Sequence, residues 1–249
     1  MPGKLSSGPL RRGARRAAAS PRLARWLLGI EVPPIGPGRR YFDLTTPILV
    51  HVVAPDLDAE SRVLDMGTGA FAAIGLSLWR RTACTVVASD VDADLVEQAR
   101  GNVKRNAAPI EVVHASLFDV LDHVEGSFDC VTFNAPYVPT GFVGADGGDL
   151  SYAGQSDGGA EGTDVIDAFL AGFARQWRVA RAYLGVNSMM VPRATVEACV
   201  AGRSELQLRD IRRRAPFPID VFVIESPQNE GLVGRRCRIT APGRRFPQP

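Results

Sequence analysis

Aspartates and glycines end two neighbouring apolar runs of this chain, an arrangement suited to holding a nucleoside. The run "VLDMGTG" ends with Asp65, Gly67 and Gly69, and the run "CTVVASD" ends with Asp90. Glycines let the backbone come close to a ligand, and the N-terminus of a following helix would face the same ligand. The aspartate lies near the spacing at which an acidic residue binds both hydroxyls of a ribose. These residues predict a nucleoside site; an ordinary tight turn beside a solvated aspartate is the alternative.

The glycine turn lacks the third glycine of the dinucleotide-binding pattern. That pattern, G-x-G-x-x-G, requires a glycine where this chain has Ala72. Glycines in this pattern let the backbone approach a pyrophosphate and let the helix pack closely on its strand. We therefore expect a nucleoside without phosphates.

A second stretch, "FNAPYVP", fixes a side-chain amide directly after the apolar run "FDCVT". Proline cannot lie inside a helix, and it also restricts the residue before it. Asn134, followed by Pro136 and Tyr137, is therefore held in an extended turn where a strand ends. The position favours a functional amide, and a turn with only a structural role is the alternative.

Strand-like and helix-like segments alternate from residue 41 onward. Strands are predicted at "RVLDMGTG", "CTVVASD", "IEVVHASLF", "FDCVTFNAPY", "AYLGVNSMMVP", "LQLRDIRRRA" and "DVFVIES". Helices are predicted at "AFAAIGLSLW", "ADLVEQARGNVKRN" and "TDVIDAFLAGFARQW", the last with a buried stripe that includes Trp177 and with Thr163 as its cap. This order predicts an α/β, Rossmann-like fold, a mostly parallel sheet with helices on both faces. Ligands of such sheets bind beyond the carboxyl ends of the strands.

Composition predicts one globular domain with extra terminal segments. The chain has 249 residues, of which 45% are hydrophobic and 22% charged, enough to build a full core. We expect an N-terminal arm over residues 1–40, a catalytic domain over 41–240 and a flexible tail over 241–249. No apolar run reaches the roughly 20 residues of a membrane span, so we expect a cytoplasmic protein without a membrane partner.

Cysteine and histidine are too scattered to suggest a metal site. Four cysteines occur without a C-x-x-C pair, and we expect them to be reduced and buried. Only three histidines accompany them, so no metal is expected. The residues in question are Cys84, Cys130, Cys199, Cys237, His51, His114 and His123.

The two ends of the chain are basic and its body is acidic. Residues 1–40 hold nine basic residues and one acidic residue, residues 41–199 hold ten and 21, and residues 200–249 hold ten and five. We expect most of residues 1–25 to lack regular structure. Three interpretations of such an arm stay open. It contacts RNA or another acidic partner, it is a solvated tail, or it is an organellar transit peptide.

Taken together, "VLDMGTG", "VVASDVDADLVEQARGNVKRN" and "FDCVTFNAPYVP" resemble the class I S-adenosylmethionine-dependent methyltransferases. The resemblance is to the HemK-like branch, which includes the release-factor glutamine methyltransferases, and it covers roughly residues 41–225. That branch carries Asn-Pro-Pro-Tyr after its fourth strand, where this chain has Asn134, Ala135, Pro136 and Tyr137. "LTTPILV" and "GGAEGTDVIDAFL" also resemble segments of that branch.

The resemblance implies S-adenosyl-L-methionine as the cofactor and a role for each matching residue. Asp65, Gly67 and Gly69 would line its methionine half, and Asp90 would hold the ribose. The remaining residues implied to contact the cofactor are Thr46, Ser116, Leu117, Phe118 and Asn134. Three positions depart from the branch: Ala135 replaces a proline, Ser116 an aspartate, and Ala70-Phe71 a Ser-Gly pair.

The resemblance also implies a catalytic role for Asn134, Pro136 and Tyr137. An amide nitrogen is a poor nucleophile because its lone pair is delocalised. If the Asn134 side-chain oxygen and the Ala135 carbonyl each accept one N–H, they aim the lone pair at the methyl group and stabilise the developing positive charge. Pro136 would stiffen the turn, and Tyr137 would cover the planar substrate.

Three acceptors stay open, and we order them as a protein glutamine, a small molecule of a biosynthetic pathway, and a base in RNA or DNA. The release-factor enzymes grip their protein substrate with an N-terminal helical domain, which residues 1–40 are too few to build. A non-catalytic protein that binds a nucleoside or a partner is the last alternative, since a fold does not determine function.

Overall fold

The computed structural model describes residues 16–36, 39–143 and 154–226. Its core is a seven-stranded sheet with the strand order β3-β2-β1-β4-β5-β7-β6. The strands are β1 Arg62–Met66, β2 Thr85–Asp90, β3 Glu111–His114, β4 Phe128–Asn134, β5 Val179–Asn187, β6 Gln207–Arg213 and β7 Ile219–Glu225. Strands β1 to β5 are mutually parallel, whereas β7 runs antiparallel to both β5 and β6. This confirms the predicted mostly parallel sheet.

Six α-helices lie wholly within the described residues. They are α1 Pro21–Leu28, α2 Thr45–Val53, α3 Ala73–Thr82, α4 Ala93–Arg105, α5 Asp164–Arg175 and α6 Arg193–Ala201. Short 3₁₀ segments follow α2, β3 and β4 and precede α5. None of the described helices is long and apolar enough to cross a membrane.

The helices cover both faces of the sheet because successive strand residues point to opposite sides. In β1, Val63 packs with α1, α2, α3 and α4, whereas its neighbour Leu64 packs with α5 and α6. Both residues are fully buried. Strands that bury both faces explain the continuous apolar runs of the sequence.

Helix α5 follows its predicted apolar stripe through Ile166, Phe169, Leu170 and Phe173, which are all fully buried. Two details differ from the prediction. The side chain of Thr163 makes no capping hydrogen bond, and the helix ends before Trp177, whose ring is 68% exposed. The segment between the helix and β5 turns this ring away from the core.

Helix α1 lies in the basic N-terminal segment, where no helix was predicted. Pro21–Leu28 is a regular helix capped by the Ser20 side chain, and Ala24 and Leu28 are buried in the main core. Two apolar residues one turn apart are enough to dock this short helix. Residues 1–15 and 241–249 lie outside the described residues, and the domain boundaries at 40 and 240 stay predictions.

No disulfide joins the described cysteines to one another. Cys84 and Cys130 are buried and Cys199 is half-buried, as expected for thiols in apolar surroundings. Cys237 lies outside the described residues.

Candidate active site

A cavity of about 700 Å³ opens at the carboxyl ends of β1, β2 and β4. This volume lies within the range of cavities that hold small molecules and cofactors. Most of the residues predicted to form the site line it. With Pro136, eight predicted residues line the cavity, the other seven being Thr46, Gly67, Gly69, Asp90, Ser116, Leu117 and, at the end of β4, Asn134.

Asp65 lies beneath the cavity and is not among its lining residues. Its carboxylate is fully buried and accepts hydrogen bonds from the Thr68 hydroxyl at 2.6 Å, the Gly75 N–H at 2.9 Å and the Thr132 hydroxyl at 3.1 Å. These donors belong to the glycine turn, to α3 and to β4. Asp65 therefore holds the wall of the cavity in place, which differs from the predicted direct contact with the methionine half of a cofactor.

The turn after β1 needs glycine for both conformation and space. Gly67 adopts a φ of 62°, and a Cβ atom there would lie 3.0 Å from the Phe133 ring. A side chain would therefore strain the backbone and push against that ring. The turn presents bare backbone to the cavity.

Asp90, at the end of β2, is hydrogen-bonded to this turn. Its Oδ2 accepts the N–H of Gly69 at 2.8 Å, and its Oδ1 accepts the N–H of Asp92 at 3.1 Å. Each carboxylate oxygen has two lone-pair directions, so one on each oxygen stays open for a hydroxyl pair. Burial raises the pKa of this carboxyl above its ordinary value.

Ser116 and Leu117 form the next part of the cavity, but Phe118 does not. Leu117 has a φ of 44°, a left-handed conformation that branched residues rarely adopt. This kink turns Phe118 away from the cavity, where its ring stacks on Phe169 with centroids 5.4 Å apart. Phe118 is thus a core residue, which corrects its predicted contact with adenine.

Asn134 is anchored by a residue that the sequence analysis did not identify. Its amide nitrogen donates to Oδ1 of Asp43 at 3.1 Å, and its amide oxygen is buried without a hydrogen-bond partner among the described residues. An unpaired buried acceptor is uncommon in folded proteins and calls for an explanation. A donor on a bound substrate or cofactor would supply one.

Tyr137 lies behind the cavity. It is buried, and its hydroxyl lies 2.7 Å from the Thr45 hydroxyl and donates to Oδ2 of Asp43 at 3.2 Å. Burial and then the charge of Asp43 raise the pKa of this phenol well above its ordinary value, so it stays a donor. The structure gives Tyr137 a supporting position, which differs from the predicted cover over a planar substrate.

A glycine-rich segment packs tightly against the turn after β4. Val138 pairs with Asp157 in a parallel bridge, and the N–H of Gly158 donates to the Val138 carbonyl at 2.9 Å. A Cβ atom on Gly162, which has a φ of 78°, would lie 2.5 Å from the Tyr137 carbonyl oxygen. The segment therefore fixes the course of the backbone beyond Pro136.

These residues fit the nucleoside half of S-adenosylmethionine. Asp90 offers a pair of open acceptor positions, Gly67 and Gly69 offer bare backbone, and Leu117 offers an apolar wall at the same cavity. The unpaired oxygen of Asn134 lies at the end of β4, which is separated by β1 from β2 and Asp90.

Comparison with known proteins agrees with the fold. Residues 38–143 match the family model described as Methyltransferase small domain. A methyltransferase from Pyrococcus furiosus superposes with a TM-score of 0.61 at 19% identity, covering 87% of this chain and 98% of that one. The fold is that of a class I methyltransferase. The hMettl16 catalytic domain, solved with MAT2A 3′UTR hairpin 1, gives a TM-score of 0.59 at 16% identity and covers 84% of this chain and 82% of its own.

Sequence similarity is confined to part of the chain. The release factor glutamine methyltransferase of Neisseria gonorrhoeae is 34% identical over 110 residues, which are 44% of this chain and 40% of that protein. This chain therefore spans less than half the length of that relative.

We expect Asp90→Asn to weaken binding of S-adenosylhomocysteine by about 1.5–3 kcal/mol, the range for hydrogen bonds to a charged group. The variant keeps the size of the side chain but replaces one acceptor oxygen by a donor. Isothermal titration calorimetry measures the effect, with Asp94→Asn, an exposed position on α4, as the matched control. Equal affinities of the two variants would contradict the ribose assignment.

We also expect Asp65 to make stability depend on pH. Burial raises its pKa from 3.8 to about 6, so the folded state holds this proton more tightly than the unfolded state. The free energy of unfolding should therefore fall as pH rises between these two values and level off above them. Urea unfolding of the parent and of Asp65→Asn, which cannot titrate there, measures the difference; parallel pH profiles would refute it.

Proposed function

We propose that this chain is an S-adenosylmethionine-dependent N-methyltransferase acting on a planar amide or amine nitrogen, with a protein glutamine as the first candidate acceptor. The class I methyltransferase fold supports the reaction class. The partial similarity to a release factor glutamine methyltransferase supports the acceptor.

The main support for this proposal is the hydrogen bonding of the Asn134 side-chain amide. Its nitrogen is committed to the Asp43 carboxylate, and its oxygen is buried without a partner in the described residues. Leaving a buried acceptor unpaired costs about 1–3 kcal/mol. A substrate N–H that bonds this oxygen recovers that cost, so the unpaired oxygen favours an acceptor that carries N–H groups.

The residues of the turn then orient the reacting nitrogen. Bound S-adenosylmethionine would supply an electrophilic methyl group on a sulfonium sulfur. In the proposed step the Asn134 oxygen accepts one N–H of the substrate and the carbonyl of the next residue, Ala135, would accept the other, which would aim the nitrogen lone pair across the cavity. Both acceptors stabilise positive charge as it develops on nitrogen. A proton then leaves the nitrogen for solvent.

The charges around the cavity support the order of the candidate acceptors. Five aspartates and one arginine line it among the described residues: Asp43, Asp90, Asp92, Asp157, Asp164 and Arg40. Such a lining repels phosphates and accepts neutral or cationic groups. A glutamine side chain or an amine metabolite therefore suits it better than a nucleic-acid base with its flanking phosphates.

The test is methyl transfer from labelled S-adenosylmethionine to cell extracts that have been split into protein, metabolite and nucleic-acid fractions. We expect label in the protein fraction; digestion with proteases should recover it as N5-methylglutamine, and acid hydrolysis should release it as methylamine. Label in the metabolite fraction would promote the small-molecule acceptor, and label in RNA or DNA alone would contradict the charge argument. Cofactor binding without label in any fraction would favour the non-catalytic alternative.

We expect Asn134→Ala to lower kcat about 10²–10³-fold, the scale for removing one preorganised partner of a transition state. Cofactor affinity should change little, because the lost bond strengthens only as charge develops on nitrogen. Single-turnover transfer with cofactor binding confirmed by calorimetry separates the two effects.

The control is Asn187→Ala, the same substitution at the end of the neighbouring strand β5. Asn187 accepts the N–H of Met189 and does not line the cavity. If Asn134→Ala turned over like this control, the amide would be only a structural part of the turn.

A further inference from the structure

Asp43 joins the start of α2 to the turn after β4. Its Oδ1 accepts the backbone N–H of Thr46 at 3.0 Å, the Thr46 hydroxyl at 3.1 Å and the amide nitrogen of Asn134 at 3.1 Å. Its Oδ2 accepts the Tyr137 hydroxyl at 3.2 Å. One half-buried carboxylate thus receives four donors from two segments that are far apart in the sequence.

We propose that Asp43 is a positioning residue that sets both the orientation and the acceptor strength of the Asn134 amide. The inference rests on the proposed methyl transfer, because the Asn134 oxygen is assigned its role there. Asp43 itself acts through Asn134 and need not contact the reacting nitrogen.

The orientation follows from the chemistry of the two groups. An ionised carboxylate can only accept hydrogen bonds, whereas a primary amide has one accepting end and one donating end. If the amide turned over, its oxygen would face Oδ1 of Asp43 at hydrogen-bond distance without a proton between them. Asp43 therefore holds the nitrogen end, and the oxygen end is left for a substrate donor.

The acceptor strength follows from the charge. A hydrogen bond from the amide nitrogen to an anion draws electron density through the amide toward its oxygen. The oxygen becomes a stronger acceptor, and it is the atom proposed to face the developing positive charge. A neutral partner in place of Asp43 would give less of this polarisation.

A purely structural role predicts a different result. Asp43 accepts the N–H of Thr46 in the first turn of α2 and so could act only as a helix cap. Loss of a cap lowers stability and leaves the chemistry of the remaining folded enzyme intact. The experiment must therefore separate kcat from stability.

The first variant is Asp43→Asn, which keeps the size and the capping ability of the side chain because asparagine is also a preferred cap. We expect kcat to fall about 10- to 100-fold, by analogy with the loss seen when residues that orient metal ligands are replaced. The affinity of this variant for S-adenosylhomocysteine should stay within about threefold of that of the parent, because interactions made equally in the bound state and in the transition state are not altered. An unchanged kcat would overturn the proposal.

The matched control is Asp58→Asn. Asp58 also accepts two backbone N–H groups and a hydroxyl, from Glu60 and Ser61, but it is remote from the cavity lining. The Asp58→Asn variant removes the charge from a comparable turn. We therefore expect it to lower the free energy of unfolding and to leave kcat unchanged.

A reciprocal exchange gives a sharper test. Asn134→Asp alone places two carboxylates against each other, whereas Asp43→Asn with Asn134→Asp restores one amide and one carboxylate in exchanged positions. We expect the double variant to be faster than Asn134→Asp by at least about tenfold, the mark of direct coupling between contacting residues. Effects that simply multiply would mean that the two residues act independently, contrary to the proposal.

A readout without turnover keeps this inference separate from the proposed function. In the parent, nuclear magnetic resonance should show the side-chain amide protons of Asn134 shifted downfield and protected from exchange, and Asp43→Asn should weaken both effects. If the parent showed no methyl transfer but this signature held, the methyl-transfer proposal would fail while the anchoring of Asn134 stood. Identical amide signals in parent and variant would refute the anchoring itself.

Discussion

The buried carboxylate of Asp65 is the interaction on which the cavity depends most. It accepts donors from the turn after β1, from α3 and from β4, and it is fully buried. A charge in this position has a high desolvation cost, which the three hydrogen bonds offset only in part, because burial still raises the pKa of Asp65 to about 6. Because the donors lie on three elements, their relative positions are fixed together. The floor of the cavity is therefore set by one side chain that never reaches its surface.

At two other points around the cavity, an aspartate carboxylate also accepts backbone N–H groups from neighbouring segments. Asp90 accepts backbone N–H groups from the glycine turn and from the residues after β2, and Asp43 accepts one from the start of α2. Where parallel strands end, the loops that follow them leave the sheet, and their backbone N–H groups need other hydrogen-bond partners. Carboxylates provide it and leave spare lone pairs for ligands. Structural support and ligand binding thus come from the same residue type at neighbouring positions.

Much of this architecture could be predicted from the sequence because its signals are local. The apolar runs gave the strands, the spacing of Ile166, Phe169 and Phe173 gave a helix, and the glycines after Asp65 gave the turn. Which side of a turn a residue faces is not a local property. Phe118 leaves the cavity because Leu117 takes a left-handed conformation, and Tyr137 lies behind it because Thr45 and Asp43 receive its hydroxyl.

Asp43 was missed for a related reason. An aspartate three residues before Thr46 reads from the sequence as a helix cap, and it does accept the Thr46 N–H. Its contact with Asn134 joins positions separated by 91 residues, and no local pattern encodes such a contact. Helix α1 was missed because two buried residues in a basic segment make a weak periodic signal.

The distribution of negative charge bears on how such a cavity could speed the reaction. Methyl transfer moves a positive charge from the sulfur to the nitrogen and leaves the total charge unchanged. A carboxylate that attracts the charge equally at both atoms therefore strengthens binding but does not raise the rate. Asp90 and Asp92 lie at the end of β2, on the side assigned to the nucleoside, and Asp43 lies against Asn134. Only a charge closer to nitrogen than to sulfur favours the transition state over the bound cofactor. Under the proposed methyl transfer, the anchored amide of Asn134, polarised by Asp43, would contribute to the rate, whereas the more acidic nucleoside side would contribute to affinity.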